Sequence, residues 1–167
     1  MTNYIVRAQK FVRDIYPFIA GEYKDMDKVA YSIAEFNQMN HRNVKLDHGL
    51  TRIALITSDY VVKFDYDENR VAQFGGGEAE IELYKQAEAD GYAYLFAQIT
   101  RYEYMGRCFY IMPRIDGIGK YEYQDAWEFM TDAEYDWCCE HGLFDLHEKN
   151  YGWRDGRVCI IDYGAHN

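Results

Sequence analysis

Proline is almost missing from the chain: Pro17 and Pro113 are the only two in 167 residues. No low-complexity linker and no internal repeat divides it. Cysteine is sparse as well. Cys108, Cys138, Cys139 and Cys159 form no CxxC pair. The adjacent Cys138 and Cys139 suit neither an ordinary bridge nor a zinc knuckle, so reduced, mostly packed thiols of a cytosolic compartment are expected. No run approaches the ~18–20 apolar residues of a membrane helix, and no basic-then-apolar leader opens the chain, so the expectation is a soluble, unexported protein. Positive charge is short. Lys and Arg number 18 against 28 Asp and Glu, a formal net charge of −10. That balance makes direct nucleic-acid binding through the phosphate backbone unfavourable. A protein partner, a small ligand, or mimicry of nucleic-acid charge remains open. His41, His48 and His166 lack partners at metal-ligand spacing, and no Ser/His/Asp or Cys/His pair stands out.

The chain is 49% hydrophobic and 28% charged, enough for a real core in one compact domain or two small lobes. Tyrosine is abundant, with 17 residues, several of them in the stretches Tyr102–Tyr110 and Tyr121–Tyr123. Such wide, amphipathic side chains suit a core or a partner surface equally. Apolar residues Ile5, Ala8, Phe11, Val12, Ile15 and Ile19 lie at helical spacing over 4–19. Asp25 is placed to cap a second helix with Met26, Val29, Ala30, Ile33 and Phe36 on one face. Residues 50–65 read as strands Ile53–Thr57 and Tyr60–Phe64 around a Ser58-Asp59 turn. Gly75-Gly76-Gly77 is a break. A helix is expected over 78–90, with Ile81, Tyr84 and Ala87 on one face and Gly91 as its stop. A second hairpin over 94–104 and 107–115 turns at Met105-Gly106. Residues 122–141 read as a helix ending near Gly142, and 157–162 as a last buried strand.

Four features then follow in order. Lys63 lies inside the apolar strand Val61-Val62-Lys63-Phe64. Glu80 sits on the next helix, with Glu82 as its near alternative. Asp145-Leu146-His147-Glu148-Lys149-Asn150 places an Asp and an Asn five apart just after a helix. Ile160-Ile161-Asp162-Tyr163-Gly164 ends an apolar strand on an acid. Phosphoryl transfer from ATP needs these residue types: a lysine to neutralise phosphate charge, a helix carboxylate to fix that lysine, an aspartate for the attacking hydroxyl, and hard oxygen ligands for Mg²⁺.

In order and spacing these residues resemble the protein-kinase-like superfamily over roughly residues 45–164. The Asp-Leu-His-x-x-Asn element resembles its small-molecule and antibiotic phosphotransferase branch. The compact size also resembles kinase-like proteins carried by tailed phages. The resemblance implies an α+β, minimal protein-kinase-like fold, with cofactors ATP and Mg²⁺. Its parts would be an N-terminal helical segment over 1–43 with two extra helices, an antiparallel-sheet N-lobe with one regulatory-type helix over 44–115, and a truncated helical C-lobe over 116–167. It further implies that Lys63 binds phosphate and Glu80 partners it, that Asp145 is the catalytic-loop base, and that Asn150 and Asp162 are metal ligands. Adenine would lie against the hinge, with Met112 as gatekeeper, the Pro113 carbonyl as acceptor and the Ile115 amide as donor. Proline keeps its C=O, so Pro113 removes nothing that adenine needs. His48-Gly49-Leu50-Thr51 stands where the family has its Gly-rich phosphate loop, with Gly49 as the single glycine. Leu143 stands where the family usually has His, and the peptide-seating helical subdomain is missing from the pattern.

Each feature also has a plain structural reading. Lys63 could be a snorkelling strand lysine, and Glu80 a solvated helix charge. Asp145 and Asn150 could be turn formers, and Asp162 a strand end. His147 reads as a brace for the catalytic loop. Joint occurrence in order favours a phosphotransferase acting on a protein Ser/Thr or small-molecule hydroxyl. The alternative is a kinase-like binding protein whose acidic, Tyr-rich surface inhibits or modulates a partner such as a host protein.

Overall fold

A computed structural model describes residues 3–21 and 25–163. Gly164 and His166 therefore lie outside the described residues. The fold is α+β and forms two compact units, Met1–Gln73 with Thr100–Arg114, and Phe74–Ile99 with Ile115–Asn167. Among the described residues, no helix is long and apolar enough to cross a membrane.

The first unit is built on helices α1 (Asn3–Ile19) and α2 (Met26–Asn40). They are followed by strands β1 (Lys45–His48), β2 (Arg52–Ile56) and β3 (Tyr60–Asp65), and by the short helix α3 (Glu68–Phe74). Strands β4 (Thr100–Tyr104) and β5 (Arg107–Pro113) complete an antiparallel sheet in the order β1-β2-β3-β5-β4. The six apolar residues expected on one stripe of α1 are its six buried residues. Five of them, Ala8, Phe11, Val12, Ile15 and Ile19, pack with Val29, Ile33 and Phe36 of α2 against Ile53, Leu55, Val62, Phe64, Phe109 and Ile111 of the sheet. Phe11 meets Phe36 edge to face at 5.8 Å between ring centroids. Each such side chain contributes about 1.5–3 kcal/mol by leaving water. Asp25 caps α2 as expected, accepting from the Lys28 amide at 3.2 Å. The Asn37 side chain donates to the Val44 carbonyl and accepts from its amide, both at 2.9 Å. That clasp turns the chain into β1, a largely exposed edge strand that the sequence pattern did not reveal.

The second unit holds α4 (Gly77–Asp90), a 3₁₀ turn at Ala93–Leu95, another at Ala126–Phe129, α5 (Asp132–Glu140), and the hairpin β6 (Tyr151–Arg154) with β7 (Arg157–Ile160). Three expectations change here. Residues 94–99 are not strand, since only Thr100–Tyr104 pairs with β5. The helix expected over 122–141 is interrupted, because Thr131 and Glu134 form a reciprocal capping box that starts α5 afresh. The buried face of α4 runs through Gly77, Glu80, Leu83 and Ala87, whereas Ile81 and Tyr84 are half-buried. β6 was overlooked, although Asp155-Gly156 is a hairpin signal; both residues adopt positive φ, 52° and 77°. Gly152 has a steric reason: a Cβ there would stand 2.5 Å from the Asp116 carbonyl oxygen. β7 is anchored by a parallel bridge from Phe96 to Ile160.

Asp90, at the end of α4, accepts from Gln86 Nε2 and Trp137 Nε1, both at 2.9 Å. Hydrogen bonds from Gln86 and then Trp137 hold its carboxyl below the usual aspartate value. A depressed pKa stabilises the fold above the unfolded value of about 3.9, and that contribution is lost as pH falls through the folded value. Asp90→Asn is expected to lower the melting temperature at neutral pH and to flatten its acid dependence below about pH 4, read by thermal melts across pH. In the first unit, Ile15→Ala should cost about 2–5 kcal/mol by urea unfolding. Val6→Ala, on the exposed side of α1, should change stability by less than about 0.5 kcal/mol.

Candidate functional site

The sheet of the first unit has two unlike faces because successive strand residues point to opposite sides. Val62 and Phe64 point into the core shared with α1 and α2. Lys63 points to the other face. The register sets Lys63 opposite Ala54 on β2 and Tyr110 on β5, and Val61 opposite Met112. Lys63 and Met112, predicted as phosphate and gatekeeper residues, therefore share one sheet face. Lys63 is only 8% exposed, which is not the exposure of a lysine snorkelling to solvent. Pro113 closes β5 opposite Tyr60, where its missing N–H costs the ladder little. The Arg114 amide then donates to the Asp59 carbonyl at 3.0 Å. Ile115 is buried and begins the second segment of the second unit.

Gly49 sits in the turn between β1 and β2, its amide donating to the Arg52 carbonyl at 2.9 Å. A Cβ at Gly49 would meet no atom within 4 Å, so packing within the chain does not require glycine there. The turn is held instead by side chains. The Tyr66 hydroxyl lies 3.2 Å from the Gly49 carbonyl oxygen and 3.1 Å from that of Leu50, and Arg70 Nη1 reaches the latter at 3.4 Å. Tyr66 and Arg70 were not singled out from the sequence. Their spacing along the segment after β3 carried no motif.

In the second unit the loop after α5 is organised by Asn150. Its Nδ2 donates to the Asp145 carbonyl at 2.8 Å, and its own carbonyl accepts from the Ile161 amide at 2.9 Å. The first bond fixes the amide's orientation, with the Nδ2 end toward the Asp145 carbonyl. The second ties the loop to the residue before Asp162. His147 braces the same loop, as expected from sequence. Its Nδ1 accepts from the Lys149 amide at 3.2 Å, so in the neutral ring the proton sits on Nε2, which faces Asp145 Oδ1 at 3.5 Å. The Asp145 side chain is 57% exposed. The structure thus brings Asp145, Asn150 and the segment carrying Asp162 together through one asparagine.

Glu80 has no solvent exposure, and its Oε1 accepts from the Tyr163 amide at 3.1 Å. Tyr163 is itself pinned. Its hydroxyl donates to the Ala97 carbonyl at 2.7 Å and its ring meets Phe96 at 5.0 Å. The helix carboxylate and the residue after Asp162 are therefore joined. Glu82 faces outward and pairs with Lys85 at 2.7 Å, so of the two acids Glu80 is the inward one. Two of the cysteines are buried thiols. All four are free, and burial first of all pushes the Cys138 thiol up to about 12 and the Cys159 thiol up to about 11. Neither is a thiolate near neutral pH. Among the described residues, no three His, Cys, Asp or Glu side chains converge as a metal cage. Oxygen ligation of a cation would fall to Asp162 and Asn150.

Glu80→Ala should take an acceptor from the buried Tyr163 amide and cost about 1–3 kcal/mol, whereas Glu82→Ala should cost less than about 0.5 kcal/mol. Chemical denaturation of both variants checks the contrast, and equal costs would contradict the inward placement of Glu80. Compared with known proteins, the chain matches no family model and no curated protein.

Proposed function

We propose that the chain is an ATP- and Mg²⁺-dependent phosphotransferase of minimal protein-kinase-like fold. It transfers the γ-phosphoryl group to a hydroxyl acceptor, a protein Ser/Thr or a small molecule. The observation that carries this reading is the Asn150 junction: Nδ2 bound to the Asp145 carbonyl and the Asn150 carbonyl bound to the Ile161 amide, an orientation that would let Oδ1 act as a hard ligand. A loop built only as a turn has no need to tie an exposed aspartate to the segment before a second one. The sheet order β1-β2-β3-β5-β4, with Lys63 on its central strand and α4 between β3 and β4, supports the same reading.

In this reading Lys63 neutralises charge on the α- and β-phosphates, and the turn at Gly49 covers them. Met112, the Pro113 carbonyl and the Ile115 amide receive adenine. Bound Mg²⁺ supplies charge neutralisation of the phosphates; two protein oxygens suit it, because Mg²⁺ commonly completes its shell with phosphate and water. The acceptor oxygen forms a bond to the γ-phosphorus as the bond to the β–γ bridging oxygen breaks, and ADP leaves. Asp145 takes the hydroxyl proton, oriented by His147. Asp145 and Asp162 lie on segments that Asn150 ties together, and a divalent cation held there would offset their negative charge.

Thermal melts with and without Mg²⁺-ATP test this. A nucleotide at ~100 times its Kd adds about 2.7 kcal/mol of stability. The wild type should gain that shift, EDTA should remove most of it, and Lys63→Ala and Asp162→Asn should both lose it while remaining folded. Incubation with γ-labelled ATP and a cell extract should label an acceptor in the wild type and not in Asp145→Asn. A wild-type protein whose melting temperature ignores millimolar Mg²⁺-ATP would rule the reading out.

A further inference from the structure

The net charge of the chain is not spread along it. Residues 122–148 contain nine of the 28 acidic residues and none of the 18 Lys and Arg residues, leaving 19 acidic against 18 basic elsewhere. Proteins usually intersperse the two signs on a surface, because like charges repel and destabilise the compact state. Here almost the whole excess of −10 sits in one stretch of the second unit.

That stretch also bears an unpartnered helix face with exposed aromatic rings. α5 buries Trp137 and Cys138. Its opposite side carries Asp132, Tyr135, Asp136, Cys139 and Glu140 at helical spacing, so they form one stripe. Tyr135 is 43% exposed, and Trp127, from the 3₁₀ turn before α5, is 40% exposed. Their rings meet edge to face at 6.4 Å. Helix stability accounts for only part of the acid. Asp132 lies in the first turn, where negative charge is favourable, but Glu140 closes a helix with no basic residue in its last turn. The charge there works against the helix dipole.

We propose that Trp127 and the outer face of α5 form a docking surface for a basic, arginine-bearing segment of a protein partner. Charge complementarity selects the occupant. A guanidinium stacks flat on Trp127 or Tyr135 while its N–H groups reach the flanking carboxylates of Asp132, Asp136 or Glu140. Nucleic acid and anionic lipid are repelled by the same charge. A second copy of this chain would set like charges against each other across the contact. None of Trp127, Asp132, Tyr135, Asp136 and Glu140 is assigned to nucleotide chemistry, so the proposal stands whether or not the chain transfers phosphate.

The test uses the full chain and a fluorescein-labelled peptide alternating Arg with Ser, its Lys-for-Arg counterpart and its Glu-for-Arg counterpart, read by anisotropy at low and high salt. The Arg peptide should bind most tightly, bind more weakly as salt rises, and bind about tenfold more weakly to Trp127→Ala/Tyr135→Ala, the order of two exposed cation–π contacts. Asp136→Asn/Glu140→Gln should weaken binding and reduce its salt dependence. Both of its positions are exposed, so it also keeps the test open if the aromatic variant fails to fold; unchanged melting temperatures verify folding. Equal binding of Arg and Lys peptides, or binding that survives loss of both rings, would reduce the surface to diffuse charge and overturn the proposal. So would absence of Arg-peptide binding, or a wild-type dimer in sedimentation that the aromatic variant converts to monomer, which would make a second copy the occupant.

Discussion

A carboxylate removed from water must be met by hydrogen bonds or charge, because its desolvation costs several kcal/mol otherwise. Glu80 is such a group, fully buried on the inner side of α4 and bonded to the Tyr163 amide. Much of the second unit follows from satisfying it. Tyr163 must present its backbone to the helix, so its ring goes into the aromatic core with Phe96 and its hydroxyl finds the Ala97 carbonyl. Asp162 is thereby fixed one residue away, at the end of the short β6–β7 hairpin. An apolar residue at 80 would pack more cheaply. The acid at 80 accepts a backbone hydrogen bond that an apolar residue could not, and so holds the segment in register.

The first unit separates packing from chemistry by the two-residue period of a strand. Val62 and Phe64 face α1 and α2, and this contact supplies the main core. Lys63 between them is forced to the other face, beside Tyr110 and one rung from Met112. The sheet can therefore carry a lysine mid-strand without placing it in its hydrophobic core. The same economy shows at the β1–β2 turn, where Tyr66 and Arg70 hold a loop with one glycine. Side-chain anchoring there replaces the backbone freedom that several glycines would have given.

The distribution of charge divides the surface as well. Outside residues 122–148 the chain is balanced within one charge, so long-range attraction of a partner would be directed at one part of the second unit. The acids there are of two kinds. Glu134 and Glu128 complete capping boxes and so have structural work. Asp136 and Glu140 face solvent with no such role.

Much was legible from local pattern. The helical stripe of α1, the Asp25 cap, the turns at Ser58-Asp59 and Met105-Gly106, and the stop at Gly91 depend on residues within a few positions of one another, which is the range over which periodicity and turn chemistry act. The order Lys63, Glu80, Asp145, Asn150, Asp162 was equally visible, as residue types in sequence. Local pattern could not decide what depends on distant partners. β1 exists because Asn37 clasps Val44 and because β2 offers an edge; Leu46 is its one apolar residue, too little for a strand pattern. The inward turn of α4 at Glu80, against the more apolar stripe of Ile81 and Tyr84, follows from an amide 83 residues further on. The orientation of the Asn150 amide follows from where the Asp145 carbonyl lies. The sequence alone determined which chemical groups are present and which segments turn, because those are short-range matters. Which carboxylate is buried and which way the Asn150 amide turns was decided only by tertiary structure, since each is set by a hydrogen-bond partner that the chain reaches by folding back on itself.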